Sequence, residues 1–162
     1  MKSKVYFSNY CKVVTFAVIF ALGMVIYQAQ LRTDTAIYVS AVFFIVLFCG
    51  LFYCPLTLEA TDKELIIHRA LWKNKVLPYA DIKSAESCLP SAGGLRLCGS
   101  GGFMGYWGYF NDTLIGPYFG YYADYKECFL IRMKNGKQYV LSCREHKEML
   151  RFLQNILDSK HP

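Results

Sequence analysis

Residues 128–143 read CFLIRMKNGKQYVLSC. Asn135-Gly136 lies between two apolar runs, a pair that favours a type I′ turn because both central positions need φ > 0. A two-residue loop sets the register of the predicted hairpin: Lys134 faces Lys137, Arg132 faces Tyr139 and Leu130 faces Leu141. Side chains alternate along a strand, so Phe129, Ile131 and Met133 share a face, together with Val140, and form the expected core. Arg132, Lys134, Lys137 and Tyr139 fall on the other face near the turn.

On the C-terminal side, Ser142-Cys143-Arg144-Glu145 has the S-x-x-E spacing of a capping box, which predicts a helix starting there. Met149, Leu150, Leu153, Ile156 and Leu157 then recur at three- and four-residue intervals and give that helix one buried stripe. Cys143 in the box would feel the helix N-terminus, which lowers a thiol pKa. If the strand continues instead, Cys143 opposes Cys128, and both also read as small packing residues. On the N-terminal side, Leu56, Leu58 and Ala60 alternate with Thr57, Glu59 and Thr61, and Thr61-Asp62-Lys63 breaks the run. A second run leads from Leu65 to Leu71 and a third from Lys75 to Ile82, separated by Trp72-Lys73-Asn74. These are strand signals.

Before Pro55 the pattern is different. Val13–Leu31 is 19 residues without a charge and Thr35–Leu58 another 24, the second ending near Cys54 because Pro55 punctuates it. About 20 apolar residues in a helix span a bilayer core of about 30 Å. Only Arg32, Thr33 and Asp34 separate the runs, so two spans would form a hairpin with both chain ends on one side. The first twelve residues carry Lys2, Lys4 and Lys12 and no acid; the turn balances Arg32 against Asp34; residues 55–162 carry 14 Lys and Arg against 11 acids. By the positive-inside rule both termini are cytoplasmic. A cleavable signal peptide is the alternative for the first run, but its small-residue site, Ala21-Leu22-Gly23, would cut the run in the middle. The predicted organisation is a cytoplasmic tail (1–12), a first span (13–31), a turn (32–35), a second span (36–54) and a cytoplasmic domain (55–162).

Composition agrees with a membrane location. The chain is 54% hydrophobic, 17% aromatic and 19% charged, with mean hydropathy +0.22, against about 45–50% apolar and about 25% charged for soluble domains. Disordered, fibrous and charged-tail classes are excluded. Seven cysteines form no C-x-x-C pair and their number is odd, so neither a disulfide scaffold nor a zinc site is signalled.

Leu58–Leu65, the Leu77-Pro-Tyr-Ala-Asp-Ile82 turn, Arg96–Gly102, Asn135–Ser142 and the last helix together resemble the bacterial PH-like (pleckstrin-homology-like) domain family, in its membrane-anchored form with a preceding helical hairpin. The resemblance implies an α+β fold: a two-helix transmembrane hairpin, then a small seven-stranded PH-like β-barrel or sandwich capped by the C-terminal helix. It implies no catalytic residues and no established ligand. The basic phosphoinositide pocket of eukaryotic relatives has no counterpart in the first strand pair, Leu56 to Leu71, which carries only Lys63 and Arg69.

Two features are candidates for function. Residues 93–120 hold 9 of the 12 glycines and residues 103–125 hold 10 of the 27 aromatics. No G-K-[ST] follows, so a nucleotide loop is not indicated. Glycines between large aromatics permit bulges and close strand approach, with the aromatics filling a barrel. The other reading is an exposed aromatic loop in which Phe103, Tyr106, Trp107, Tyr109 and Phe110 meet the membrane interface or a partner. The second feature is the basic group Arg132, Lys134 and Lys137, which either is a solvated hairpin tip or faces anionic lipid headgroups. No nucleophile elbow, metal motif or paired carboxylates appear, and no cofactor or nucleic acid is indicated. The expected function is a non-enzymatic binding or scaffolding module at the inner membrane, contacting a protein partner, lipid headgroups or a second copy of itself. The alternative is a small subunit or regulator of a membrane-protein complex, acting through its hairpin.

Overall fold

The computed structural model describes residues 1–30, 33–91 and 94–160. Leu31 and Arg32, on which the charge balance of the predicted turn depends, lie outside the described residues, as does Gly93 at the start of the glycine-rich stretch. Among the described residues three α-helices and two sheets make up an α+β fold.

The first residues are not a loose tail. Lys2–Lys4 is strand β1, followed by an extended stretch to Ser8. Helix α1 (Asn9–Gln30) starts four residues before the uncharged run because Ser8 caps it, its Oγ accepting from the Cys11 N–H at 3.3 Å. Helix α2 (Thr33–Tyr53) packs against α1 and stops at Pro55, which has no N–H to continue the helix. Strand β2 (Pro55–Ala60) then pairs antiparallel with β1, Ser3 opposite Leu58. The two helices are thus an insertion between neighbouring strands, and both leave from the same sheet.

β3 (Glu64–Arg69) and β4 (Lys75–Pro78) complete the first sheet, in the order β1-β2-β3-β4. The Thr61 side chain builds the β2–β3 turn by accepting from the Glu64 N–H at 3.1 Å and donating to the Glu64 carbonyl at 2.9 Å. The run from Lys75 to Ile82 is divided: after Pro78 a 3-10 turn, Tyr79–Asp81, carries the chain to β5 (Ile82–Ser87) in the second sheet. Tyr79 fixes this corner, its buried ring sending the hydroxyl to the Thr61 carbonyl at 2.8 Å.

The second sheet adds β6 (Leu95–Gly102), β7 (Gly105–Asp112), β8 (Gly116–Tyr122), β9 (Cys128–Met133) and β10 (Gln138–Ser142), in the order β5-β9-β10-β8-β7-β6. β10 lies parallel to β8 and fills the gap between β8 and β9. Among the described residues ten strands lie in two sheets, so of the barrel or sandwich that the resemblance implies the closed seven-stranded barrel is not formed, and the two sheets are compatible with a sandwich.

The β9–β10 register differs from expectation by one residue: Arg132 opposes Gln138, Leu130 opposes Val140 and Phe129 opposes Leu141. Only Gly136, at φ +82°, has a positive φ in the turn. The Gly136 N–H reaches the Met133 carbonyl at 3.0 Å and the Met133 N–H reaches the Lys137 carbonyl at 2.8 Å. This is a three-residue loop, a type I turn closed by a left-handed glycine, rather than type I′. Phe129, Ile131 and Met133 therefore share their face with Leu141 and Tyr139, while Val140 joins Leu130 and Cys128 on the opposite face. Both faces are buried. One packs on the first sheet and on α3 (His146–Lys160), whose Met149 and Leu153 are fully buried. The other carries a second core of tyrosines and Phe110, with Cys11 of α1.

No capping box forms. β10 continues through Ser142, whose Oγ accepts from the Ala123 N–H at 2.9 Å, and α3 begins at His146. β1 docks beside this junction, its Lys4 carbonyl accepting from the Arg144 N–H at 3.0 Å. The predicted apolar stripe of α3 is the face it buries.

Candidate functional site

Strand alternation decides what the aromatic stretch does. Along β7, Tyr106 and Phe110 point into the second core and are buried, whereas Trp107 and Tyr109 point to the opposite side. Tyr106 stacks on Tyr122 at 4.9 Å and Phe110 on Tyr118 at 5.5 Å. Gly120 makes room for these rings, since a Cβ there would lie 2.9 Å from Tyr122 and 3.0 Å from Phe110. The five aromatic candidates do not form one exposed loop; of them Tyr109 alone is largely exposed.

Phe103 sits in the β6–β7 turn, which docks between the helices. The Thr15 hydroxyl of α1 accepts from the Met104 N–H at 2.9 Å and donates to the Gly102 carbonyl at 3.4 Å. The Phe103 carbonyl accepts from the Trp107 indole at 3.1 Å and the Ser100 hydroxyl at 2.8 Å. Met104 adopts φ +52° to make this turn. The β6–β7 turn is therefore held by α1, while the rest of the aromatic stretch runs through β7 and β8.

The basic group is also divided. Arg132 donates to Gln138 Oε1 at 2.9 Å and pairs with Glu86 at 3.4 Å. Lys134 and Lys137 are exposed, and Lys137 alone of the three lines the groove described next.

On the Trp107 side of β7, a groove of about 520 Å³ opens between the two sheets beside the end of α2. Its aromatic wall is continuous: Tyr53, the last residue of α2, lies 6.3 Å from Phe119, which meets Tyr109 at 4.8 Å and Tyr121 at 4.7 Å, while Trp107 stacks behind Tyr53 at 5.1 Å. Three cations border it: Arg69 from β3, Lys75 from β4 and Lys137 from the β9–β10 turn. Lys75 Nζ stands 5.7 Å from the Tyr139 ring centre, and the Arg69 guanidinium 6.0 Å from that of Tyr121. Arg69 is held by the Lys73 carbonyl, to which its Nε donates at 2.9 Å and its Nη2 donates as well. Among the described residues no carboxylate lines the groove, and none pairs with these three cations. Burial pushes the Tyr121 phenol up to about 12, against the pull of Arg69, so its hydroxyl is a neutral hydrogen-bonding group at physiological pH.

Beside the groove, the β3–β4 turn presents Leu71 and Trp72 to the outside, with Trp72 edge-on to Phe52 of α2 at 5.2 Å. In the sequence Trp72-Lys73-Asn74 reads as a strand break only, Arg69 as one of two cations in the first strand pair and Lys75 as the start of a strand. Their proximity to Lys137 comes from two sheets meeting, which no local pattern encodes.

Among the described residues no three His, Cys, Asp or Glu side chains converge as a metal ion would require. Burial pushes the Cys143 thiol up to about 11, the reverse of the activation that a capping-box position would give. One helix among the described residues is long and apolar enough to cross a membrane, Asn9–Gln28, with hydropathy 2.0; Ile37–Tyr53 is a shorter apolar helix. Comparison with protein-family models, curated proteins and solved structures gave no match to this chain.

Proposed function

We propose that the chain is a non-enzymatic, PH-like binding module held at the bacterial inner membrane by two spans, with its β-domain and both termini in the cytoplasm. The observation that carries this reading is the pairing of β1 with β2 around the helical insertion. Residues before α1 and after α2 share one sheet, so helices that enter a bilayer must return to the side they left. Large apolar side chains lie outward on both helices, among them Phe16, Phe20, Ile37 and Ile45. Leaving such a side chain in water rather than apolar surroundings costs about 1.5–3 kcal/mol each. The lysines in and near β1 and the +3 of residues 55–162 support a cytoplasmic side for the sheet. C-terminal helix packing on a β-domain supports the PH-like reading. Tethering raises the effective concentration of any bilayer-associated partner, whether protein, headgroup or second copy, so weak contacts suffice.

Cys98 is exposed on β6 and reports the side of the membrane. In a Cys49→Ser background, a membrane-impermeant maleimide should label Cys98 in inside-out vesicles and leave it unlabelled in intact spheroplasts, and the protein should resist alkaline carbonate extraction. Labelling in intact spheroplasts, or release by carbonate, overturns the reading.

A further inference from the structure

We propose that the groove between the sheets binds a phosphate-class anion carried on an apolar body, the chemistry of an anionic phospholipid headgroup with its acyl glycerol. Three cations, two from different strands and one from the β9–β10 turn, converge on the groove with no carboxylate among the described lining residues. Such a set is self-repelling in the empty site, and an anion relieves that repulsion. Arg69 supplies a fixed guanidinium, held by the Lys73 carbonyl, while Lys75 and Lys137 supply mobile point charges, a combination suited to phosphate oxygens. The aromatic wall of Tyr53, Tyr109, Phe119 and Tyr121 gives the apolar part of the ligand a surface.

Location favours a lipid as the source. Tyr53 ends α2 and lines the groove, so if α2 crosses the bilayer the groove opens at headgroup level; this step rests on the membrane reading above. Trp72 and Leu71, exposed beside Phe52, flank the same rim with residues suited to the interface.

The full chain in a neutral, uncharged detergent is titrated with dihexanoyl-phosphatidylglycerol, dihexanoyl-phosphatidylcholine and inorganic phosphate. Saturable binding of the glycerol lipid, at least about tenfold tighter than the choline lipid, is expected. Lys75→Gln and Lys137→Gln should each weaken it about fivefold, and Lys134→Gln, outside the groove, should not. Arg69→Gln is used only if its melting temperature matches wild type; exposed Lys137 carries the test otherwise. Inorganic phosphate binding as tightly as the lipid supports the anion site and assigns its ligand to solution. Absence of saturable binding by either anion, or unchanged binding in Lys75→Gln and Lys137→Gln, overturns the proposal. A failed membrane reading shows itself separately, as carbonate release of a chain that still binds phosphate.

Discussion

Phe103 occupies the space that a side chain at Gly50 would need. A Cβ on Gly50 of α2 would lie 2.5 Å from Phe103 Cε1 and 3.0 Å from Met104 Sδ, so the missing side chain is what lets the β6–β7 turn sit between the helices. Gly50→Val should push the turn out and lower stability by about 1–3 kcal/mol, the usual range for overpacking. Because Trp107 bonds to the Phe103 carbonyl and stacks on Tyr53, its emission should shift as well, read in a Trp72→Phe background. Adding Phe103→Ala should restore part of the loss. Unchanged stability and emission in Gly50→Val would show that the turn does not dock there.

The β9–β10 turn makes a second prediction. A Cβ on Gly136 would touch nothing within 4 Å, so any loss in Gly136→Ala comes from its φ of +82° alone. That loss should be about 1 kcal/mol in thermal or denaturant unfolding. Asn135 has no positive φ and contributes mainly its Oδ1, which accepts from the Lys137 N–H at 3.1 Å. Asn135→Gly should therefore give no gain, whereas a type I′ turn would favour glycine at both positions. Stabilisation by Asn135→Gly would restore the two-residue loop.

The same turn shows what was legible in the sequence. Asn135-Gly136 located the hairpin, and the apolar runs identified β9, β10 and the buried stripe of α3, because these signals are local. The register was not local: hydrophobic residues occur at both parities in CFLIRM, so either face could be core, and both are. β1 was hidden because Lys2-Ser-Lys4 has no strand character; it is held by the edge of β2, not by propensity. The alternation that separates Trp107 and Tyr109 from Tyr106 and Phe110 was visible once a strand was assumed. The groove was not, since it needs Arg69, Lys75 and Lys137 from three different strands or turns to meet.

β1 should matter far more than its three residues suggest. The Met1 amino group donates to the Ala60 carbonyl at 2.7 Å and the Val5 N–H to the Leu56 carbonyl at 2.9 Å, so by antiparallel alternation Ser3 is the hydrogen-bonded residue between them. Ser3→Pro removes that donor and also the hydroxyl that accepts from the Glu145 N–H at 3.3 Å. A loss of about 2–4 kcal/mol is expected. Hydrogen exchange should show faster exchange in β2 and at the start of α3. A Ser3→Pro protein as stable as wild type would mean that β1 does not bracket the helices.

Thiol reactivity should follow burial. Cys98 is exposed, while Cys143 is fully buried and its thiol is pushed up to about 11 by desolvation. At pH 7.5 in detergent, a small alkylating reagent should modify Cys98 within minutes and Cys143 only after denaturant is added. Selective modification of Cys143 at low pH would instead reveal an activated thiol at the start of α3.

Asp112 gives the protein an acid-sensitive joint. Its Oδ2 accepts from the Ser91 N–H and hydroxyl, both at 2.7 Å, and its Oδ1 from the Leu114 N–H at 2.8 Å and the Ile115 N–H at 3.3 Å. Burial opposes the charge, but these donors outweigh it and hold the carboxyl below its usual range. A carboxylate depressed in the folded state stabilises the protein above its unfolded pKa of about 3.9, and that contribution fades as pH falls through the folded value. Asp112→Asn replaces one acceptor by an NH2 that must face an N–H donor, at Ser91 or at Leu114 according to its flip. It should lower stability by about 1.5–3 kcal/mol at pH 7. Between pH 5 and pH 7 the gap to wild type should stay constant, and below about pH 4 it should shrink as wild type loses what the variant never had. A gap that stays constant to pH 2 would show that the Asp112 charge contributes nothing to the fold.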